Sequence, residues 1–218
     1  MQTRVKREKH PSIRVYGIGA VMVQPDKASI TVGVITEGNS AAAVQAENAA
    51  KISAVIAAII KNGVQRDQIQ TSEYKMDILY DFAEGKQVFK GYRVTHLLRV
   101  SNLRTELAGT VIDAAAANGA NFFSNVTFQV SQSSVHYQRA LTLAVQDAQN
   151  KASSIAKSVH AKIILEPFEI IELTDNEPQP RVLGLQSAAV AATSIEPGQT
   201  QIAARVSALF RYSGSLQP

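Results

Sequence analysis

The chain has 218 residues, no cysteine and a formal net charge of +4 at pH 7. The absence of cysteine excludes disulfides and thiolate metal sites, and the length suits a substantial core in one domain or in two joined lobes. Four basic residues and one acidic residue fall within residues 1–10, so the rest of the chain is nearly neutral.

This charge distribution bears on partners and on location. A nearly neutral body without a basic run interleaved with aromatic residues argues against a specific nucleic-acid surface. We interpret residues 1–11 as a basic flexible tail that makes at most weak contacts with anionic surfaces. The tail is not followed by the apolar segment of a signal peptide, and the longest apolar run, Ala54–Ile60, is too short to span a bilayer. We therefore expect a cytoplasmic protein, or an extracytoplasmic one if a leader has been removed.

The first predicted elements are strands over Ser12–Gln24 and Lys27–Thr36, which we expect to form a hairpin. The first strand contains Gly17-Ile18-Gly19, part of a dinucleotide-binding fingerprint. That fingerprint needs a third glycine where Met22 stands, and a helix where the period-two pattern predicts a strand. Gly17 and Gly19 are therefore interpreted as packing residues that let a neighbouring backbone approach.

A long helix follows, capped by Asn39 or Ser40 and ended by Gly63. Its apolar residues recur at helical spacing, and Asn48 interrupts them. We expect the Asn48 side chain to bond a neighbouring backbone carbonyl rather than a ligand. The apolar residues of this helix are Val44, Ile52, Val55, Ile56 and Ile59.

The segments "SEYKMDILYDF" and "QVFKGYRVTHLLRVS" read as a hairpin with its turn at Ala83–Lys86. His96 shares a strand face with four apolar or aromatic residues and is the best single candidate for a ligand-binding or catalytic side chain; a core or interface histidine is the alternative. Asp77, Asp81 and Glu84 form the densest acidic group, for which a solvated hairpin tip is favoured over acid–base chemistry. The residues sharing the face with His96 are Tyr92, Val94, Leu98 and Val100.

The second half of the chain predicts a short helix, a strand, a long helix, two further strands and a long arm. The arm, Thr174–Thr200, is rich in proline, alanine and polar residues, which favours a mobile or partner-binding segment. The order of elements is ββαββαβαββ, an α+β fold with antiparallel strands, two long helices and one short helix. The predicted ranges are Arg104–Asn118 (short helix), "NFFSNVTFQVS" (strand), Ser134–Val159 (long helix), Ile163–Leu173 and Gln201–Tyr212 (strands).

The long second helix carries a narrow apolar stripe among alanines, which permits close packing on a sheet or on a partner helix. The predicted stripe comprises Val135, Leu141, Val145, Ala148, Ala152, Ile155 and Val159.

Neither a nucleophile elbow nor a phosphate-binding loop occurs, and the four histidines are scattered. We therefore expect no metal, no cofactor and no catalytic residue.

Several segments together resemble the SIMPL-domain family of YggE-like and periplasmic immunogenic proteins. The resemblance implies an α+β protein, frequently extracytoplasmic, that is linked to oxidative-stress defence and in some members forms a ring- or channel-like oligomer. The chain departs from the pattern at Thr95-His96, where Ser-Asn is common, at His160-Ala161, where a glycine is expected, and in lacking a signal peptide. The matching segments are "VYGIGAVMVQPDKASITVGV", the Asn48 helix, "DQIQTSEYKMDILYD", "GYRV", "VIDAAAANGAN", "ALTLAVQDAQNKASSIAKSV" and "IEPG".

These observations lead to two functional hypotheses. The first is a non-enzymatic, self-associating protein with a protective or scaffolding role, in which sheet edges, the alanine-lined helix and the arm supply subunit contacts. The alternative is a small-molecule-binding protein or an enzyme with a cleft near His96 and the Asp77–Glu84 hairpin.

Overall fold

The computed structural model describes residues 11–83, 85–173, 181–182, 193 and 195–214. Three α-helices and antiparallel sheets occupy these ranges, which confirms the α+β class and the predicted order of elements. Residues 1–10 of the basic tail, Glu84 and most of the arm lie outside the described residues, so the predictions about them stay predictions.

The elements begin and end close to their predicted bounds. Two predicted strands are each divided into two short ones (β5 with β6, and β7 with β8), and a further short strand, β9, lies in the arm. The strands are β1 (Ser12–Val23), β2 (Lys27–Gly38), β3 (Ile69–Ala83), β4 (Lys86–Arg104), β5 (Phe122–Phe123), β6 (Thr127–Gln129), β7 (Ala161–Ile163), β8 (Glu169–Glu172), β9 (Arg181–Val182) and β10 (Thr200–Gly214). The helices are α1 (Ala41–Lys61), α2 (Ala108–Ala117) and α3 (Ser133–Ser158).

The described elements divide into two compact units. In the first unit, β10 pairs along its length with β1 on one side and with β7, β8 and β9 on the other, all antiparallel. Helix α3 packs on β1 and β10. The core of this unit comprises Val15, Ala144, Ala148, Ala152, Val206, Ala208 and Phe210.

Gly17 and Gly19 lie where α3 approaches β1 most closely. A Cβ atom on Gly17 would stand 1.9 Å from the carbonyl oxygen of Ala144, and one on Gly19 would stand 2.0 Å from that of Ala140. These distances are far below van der Waals contact, so only glycine admits the helix here. The packing interpretation of both glycines is confirmed.

The apolar stripe predicted for α3 is only partly correct. The residues that face the sheet are five alanines at four-residue spacing, all fully or almost fully buried, whereas Val135, Ile155 and Val159 are exposed. Large side chains cannot occupy the contact face because β1 presents glycines there at backbone distance. The buried alanines are Ala140, Ala144, Ala148, Ala152 and Ala156.

The hairpin predicted for the first two strands is wrong. β1 pairs with β10, whereas β2 pairs with β4, β5 and β6, so these consecutive strands belong to different sheets. The sequence contains a strand, a turn and a strand in the right places, but such a pattern does not specify whether the two strands pair with each other.

The second unit is a sheet of order β3-β4-β2-β5, in which β6 also pairs with β2. Helix α1 packs on β2 and β4 and also contacts α2. Four of its five predicted apolar residues are buried and Ile56 is half-buried. Ile52, Val55 and Ile59 meet Val32, Val34, Leu98 and Val100 of the sheet in one core, and Ile56 packs against it. The predicted β3–β4 hairpin is confirmed by the pairing of Ala83 with Lys86.

Asn48 attaches α1 to the sheet. Its Nδ2 donates to the carbonyl oxygen of Val34 at 3.0 Å and to Thr36 Oγ1 at 3.2 Å, and lies 3.4 Å from the carbonyl oxygen of Val94. The residue is 1% exposed, so these bonds replace water for its buried NH2 group. The prediction that Asn48 bonds backbone carbonyls is confirmed.

Three helix ends have left-handed backbone conformations. Gly119 follows α2 with φ of 99°. Gly63 follows α1 with φ of 94°, as predicted. His160 follows α3 with φ of 54°, in the position where the family resemblance implies a glycine. A histidine side chain at this position is strained, because the left-handed region brings Cβ close to the backbone.

Candidate functional site

The β3–β4 hairpin extends beyond the rest of its sheet. The last pair between β2 and β4 joins Gly38 to Tyr92, whereas β3 and β4 continue to the Ala83–Lys86 pair. Residues 79–83 and 86–91 therefore form a two-stranded ribbon without a third strand among the described residues. A two-stranded ribbon is marginally stable in water unless one face is covered.

One face of this hairpin carries a row of large apolar side chains that we call the apolar stripe. Their exposed fractions run from 38% to 72%. They share a face because side chains alternate along a strand and β3 has no inserted residue from Glu73 to Ala83. The apolar stripe comprises Tyr74, Met76, Ile78, Tyr80, Phe82 and Phe89.

The apolar stripe continues the core face of the sheet. In the register of the sheet, Tyr74 lies opposite His96, and His96 lies opposite the buried Val34. Helix α1 covers this face over β2 and β4, but the side chains of β3 beyond it stay exposed. The stripe therefore has the composition of a buried surface without a cover among the described residues.

The exposed area of the stripe is large for a surface of this kind. Four aromatic rings and two aliphatic side chains at about half exposure present on the order of 500 Å², since a buried aromatic residue contributes about 150–250 Å². The largest apolar patch on a typical monomer is about 300–600 Å² and is often functional. The stripe lies in the upper part of that range and is the strongest binding feature of the described residues.

The opposite face of the hairpin is charged, and its charges pair with one another. Lys75 Nζ lies 3.5 Å from a carboxylate oxygen of Glu73 and 3.5 Å from one of Asp77. Arg93 contacts the Glu37 carboxylate at 2.6 Å. These residues line an open depression of about 530 Å³, but mutual pairing of its charges is typical of a solvated surface.

His96 and the Asp77 carboxylate lie on opposite faces of the sheet. The residues beside His96 in β4, Thr95 and Leu97, line the charged depression, whereas His96 points to the face of the apolar stripe. Its Nε2 lies 3.3 Å from Thr71 Oγ1, and its ring meets Tyr74 edge-on at 5.1 Å. Burial lowers the pKa of His96. The structure thus does not bring His96 and Asp77 of the predicted cleft together.

A second depression, of about 580 Å³, lies near the start of α2. Two of its carboxylates already accept hydrogen bonds: Ser131 donates to Asp26 from its hydroxyl at 2.5 Å and its N–H at 2.8 Å, and Thr193 Oγ1 donates to Asp113 at 2.6 Å. The bonds from Ser131 hold the pKa of Asp26 below its usual value. Among the described residues, no group of three or more His, Asp or Glu side chains is placed to hold a metal ion.

The described parts of the arm contact their own chain. Arg181–Val182 pairs with β10, Thr193 bonds to Asp113 on α2, and Ile195 packs against the core of the second unit.

Helix α1 is long and apolar enough to cross a membrane by length and composition alone. This is weak evidence for a span, because one side of the helix forms the core of the second unit.

The apolar stripe was not identified from the sequence, although a signal for it exists. From Tyr74 to Phe82 the chain alternates strictly between apolar or aromatic and other residues, with Leu79 as the one exception. Such alternation predicts that one face of the strand is covered. It does not say whether the cover belongs to the same chain.

Comparison with known proteins agrees with the resemblance. "Uncharacterized protein YggE" of Escherichia coli (strain K12) is 24% identical over 153 residues, which cover 70% of this chain. The aligned part spans only 62% of the length of that relative. The protein of the same title from Edwardsiella ictaluri (strain 93-146) is 22% identical over 193 residues, covering 87% of this chain and 80% of the relative. Residues 13–210 match the SIMPL family, described as "Protein of unknown function (DUF541)". The chain therefore belongs to the SIMPL family.

Proposed function

We propose that this protein is a non-enzymatic, self-associating protein whose subunits meet through the apolar stripe of the β3–β4 hairpin. The observation that carries the proposal is the exposure of six large apolar side chains on a hairpin that extends beyond its sheet. Covering them removes apolar surface from water at about 25 cal/mol per Å². Coverage also supports a ribbon that is marginally stable alone.

The non-enzymatic part of the proposal draws on the placement of the candidate residues. His96 has a hydroxyl and an aromatic ring beside it, and Asp77 lies on the other face of the sheet. A general base needs an orienting partner and a reachable substrate proton. Among the described side chains, neither depression is lined by a histidine beside a carboxylate.

The assembly that we propose is closed rather than open-ended. Heterologous contacts that fail to close produce fibres, and a soluble protein avoids them. A ring- or channel-like form and a protective or scaffolding role in oxidative stress are what the family resemblance implies. In this proposal the assembly, rather than the single chain, exercises that role.

The experiment compares the sedimentation of the wild-type chain with that of a Tyr80→Ser/Phe82→Ser variant. We expect the wild type to sediment as an oligomer and the variant to shift to smaller species, because the two substitutions remove the most exposed ring and its neighbour. A Val135→Ser/Val159→Ser variant is the matched control, since these exposed side chains lie on α3 and on the residue that follows it. The control should sediment like the wild type.

Circular dichroism of each variant shows whether its fold is intact. A folded Tyr80→Ser/Phe82→Ser variant with the same oligomeric mass as the wild type would overturn the assignment of the contact to the stripe. A monomeric wild-type chain would overturn self-association itself.

A further inference from the structure

The two sheets differ in how their edge strands are protected. At β1, the N–H of Ile18 donates to Asp147 Oδ2 at 2.8 Å, and Lys151 Nζ donates to the carbonyl oxygen of Tyr16 at 2.9 Å. Asp147 and Lys151 also contact each other at 2.6 Å. Side chains of α3 thus form hydrogen bonds with backbone groups of β1 that another strand would need for pairing. We therefore call β1 a blocked edge.

The edge of β3 has no comparable block among the described residues. β3 is the terminal strand of its sheet and pairs with β4 alone. Of the described side chains, one bonds a β3 amide: Asp81 accepts from the N–H of Phe82, close to the turn. The charged side chains of the central part, Glu73, Lys75 and Asp77, pair with one another instead. A long edge strand with free backbone groups is a template for pairing with another strand.

The β3 sequence is self-complementary about Ile78. The five stripe residues of β3 occupy positions 74, 76, 78, 80 and 82, a set that is symmetric about position 78. If two copies pair antiparallel around a two-fold axis at Ile78, Tyr74 faces Phe82 and Met76 faces Tyr80. In the charged row, Lys75 then faces Asp81, and Asp77 faces Leu79. Opposite charges face each other and like charges do not, which favours cross-strand pairing.

In neighbouring registers, either the apolar residues or the charges of the two strands do not match. An axis at Asp77 places that carboxylate opposite its own copy, and an axis at Leu79 places Asp77 opposite Asp81. An axis at Met76 keeps Lys75 opposite Asp77 but places Tyr80 opposite Ser72. An axis between two residues sets the apolar row of one strand beside the charged row of the other, because side chains alternate with period two.

We infer that β3 of one subunit pairs antiparallel with β3 of a second copy of this chain, with Ile78 on the two-fold axis. This inference rests on the proposed self-association and adds a contact along the strand edge to the contact through the apolar stripe. The two apolar stripes then form one continuous face across the axis, and the two hairpins support each other in a single sheet. A two-fold contact of this kind is isologous, so it yields a dimer that can serve as the unit of a larger closed assembly.

Cysteine cross-linking tests the register directly, because the chain has no cysteine of its own. Directly opposed residues of antiparallel strands have Cα atoms about 4.5–5.5 Å apart, within reach of a disulfide. Under mild oxidation of the full chain, Ile78→Cys should give a covalent dimer on a non-reducing gel. Tyr74→Cys and Phe82→Cys should each stay uncross-linked alone, since eight residues separate the two copies by about 27 Å. A mixture of Tyr74→Cys and Phe82→Cys should cross-link.

Controls separate this inference from the proposed function. Ser53→Cys, at an exposed position on α1, measures cross-linking by chance collision and should stay monomeric on the gel. If Ile78→Cys fails to fold, a mixture of Met76→Cys and Tyr80→Cys tests the same register. An oligomeric wild-type chain without these cross-links would overturn the β3 pairing and leave self-association standing. A monomeric wild-type chain would overturn both.

Discussion

Replacing Gly17 or Gly19 by alanine tests the contact between α3 and β1. The added Cβ of Gly17→Ala would stand 1.9 Å from the Ala144 carbonyl oxygen, about 1.5 Å short of ordinary van der Waals contact. The obstructing atom belongs to helix backbone, so α3 must move away as a whole. Five buried alanines then lose part of their contact with the sheet.

The expected cost follows from overpacking in a filled core. One forced methyl group costs about 1–3 kcal/mol, occasionally more, and here the upper end applies because backbone has to move. We therefore expect each single variant to lose about 3 kcal/mol of unfolding free energy, against a total of about 5–15 kcal/mol for a typical protein. Both substitutions displace the same helix, so the double variant should lose less than the sum of the two single losses.

Urea unfolding followed by circular dichroism measures these losses. Ala20→Val is the matched control, because Ala20 lies on the exposed face of β1, and we expect it to change stability by less than about 0.5 kcal/mol. If both glycine variants matched this control, the close approach of α3 to β1 would be refuted.

Three further predictions concern single residues. His160→Gly should raise the unfolding free energy by about 0.5–1 kcal/mol, since relief of left-handed strain exceeds the entropy cost of glycine; equal or lower stability in urea would contradict this. Asn48→Ala should lower the unfolding free energy by about 1–3 kcal/mol, because buried carbonyl groups lose their donor. Asn48→Asp should lower it further, since a carboxylate cannot donate. A smaller loss for Asn48→Asp than for Asn48→Ala would disprove the hydrogen-bond assignment. Bonds from Lys151 and from the N–H of Ile18 lower the pKa of Asp147, so its contribution is complete above its unfolded pKa near 4 and is lost as pH falls through the lower folded pKa. Stability measured against pH should therefore fall less for Asp147→Asn than for the wild type below about pH 4. Identical profiles would count against the bonds that Asp147 makes with Lys151 and with the N–H of Ile18.

Sequence patterns predicted the elements of this fold well and the pairing of its strands less well. Helix α1, its Asn48 contact and its end at Gly63 follow from local periodicity and capping. The separation of β1 and β2 into different sheets depends instead on β10, nearly two hundred residues away from β1. Periodicity within one strand contains no information on such a distant partner.

The same distinction applies to α3 and to the candidate site. Val135, Ile155 and Val159 were expected to face the core but are exposed, and the glycines of β1 admit only alanines at the closest approach of the helix. Leu141 and Val145, also in the predicted stripe, do pack against the core. The alternation of apolar and other residues in β3 is visible in the sequence. The exposure of the apolar residues depends instead on how far α1 extends over the sheet. His96 and Asp77 looked close along the chain, but their separation on two faces follows from the register of β3 on β4.

The solution mass of the unmodified chain tests the central claim of self-association most directly. Light scattering coupled to gel filtration should be run at several protein concentrations, since association follows mass action. The account predicts a mass at least twice the 23.5 kDa of one chain, rising or constant with concentration. A mass of one chain at about 100 μM, where even a weak specific contact is populated, would contradict it.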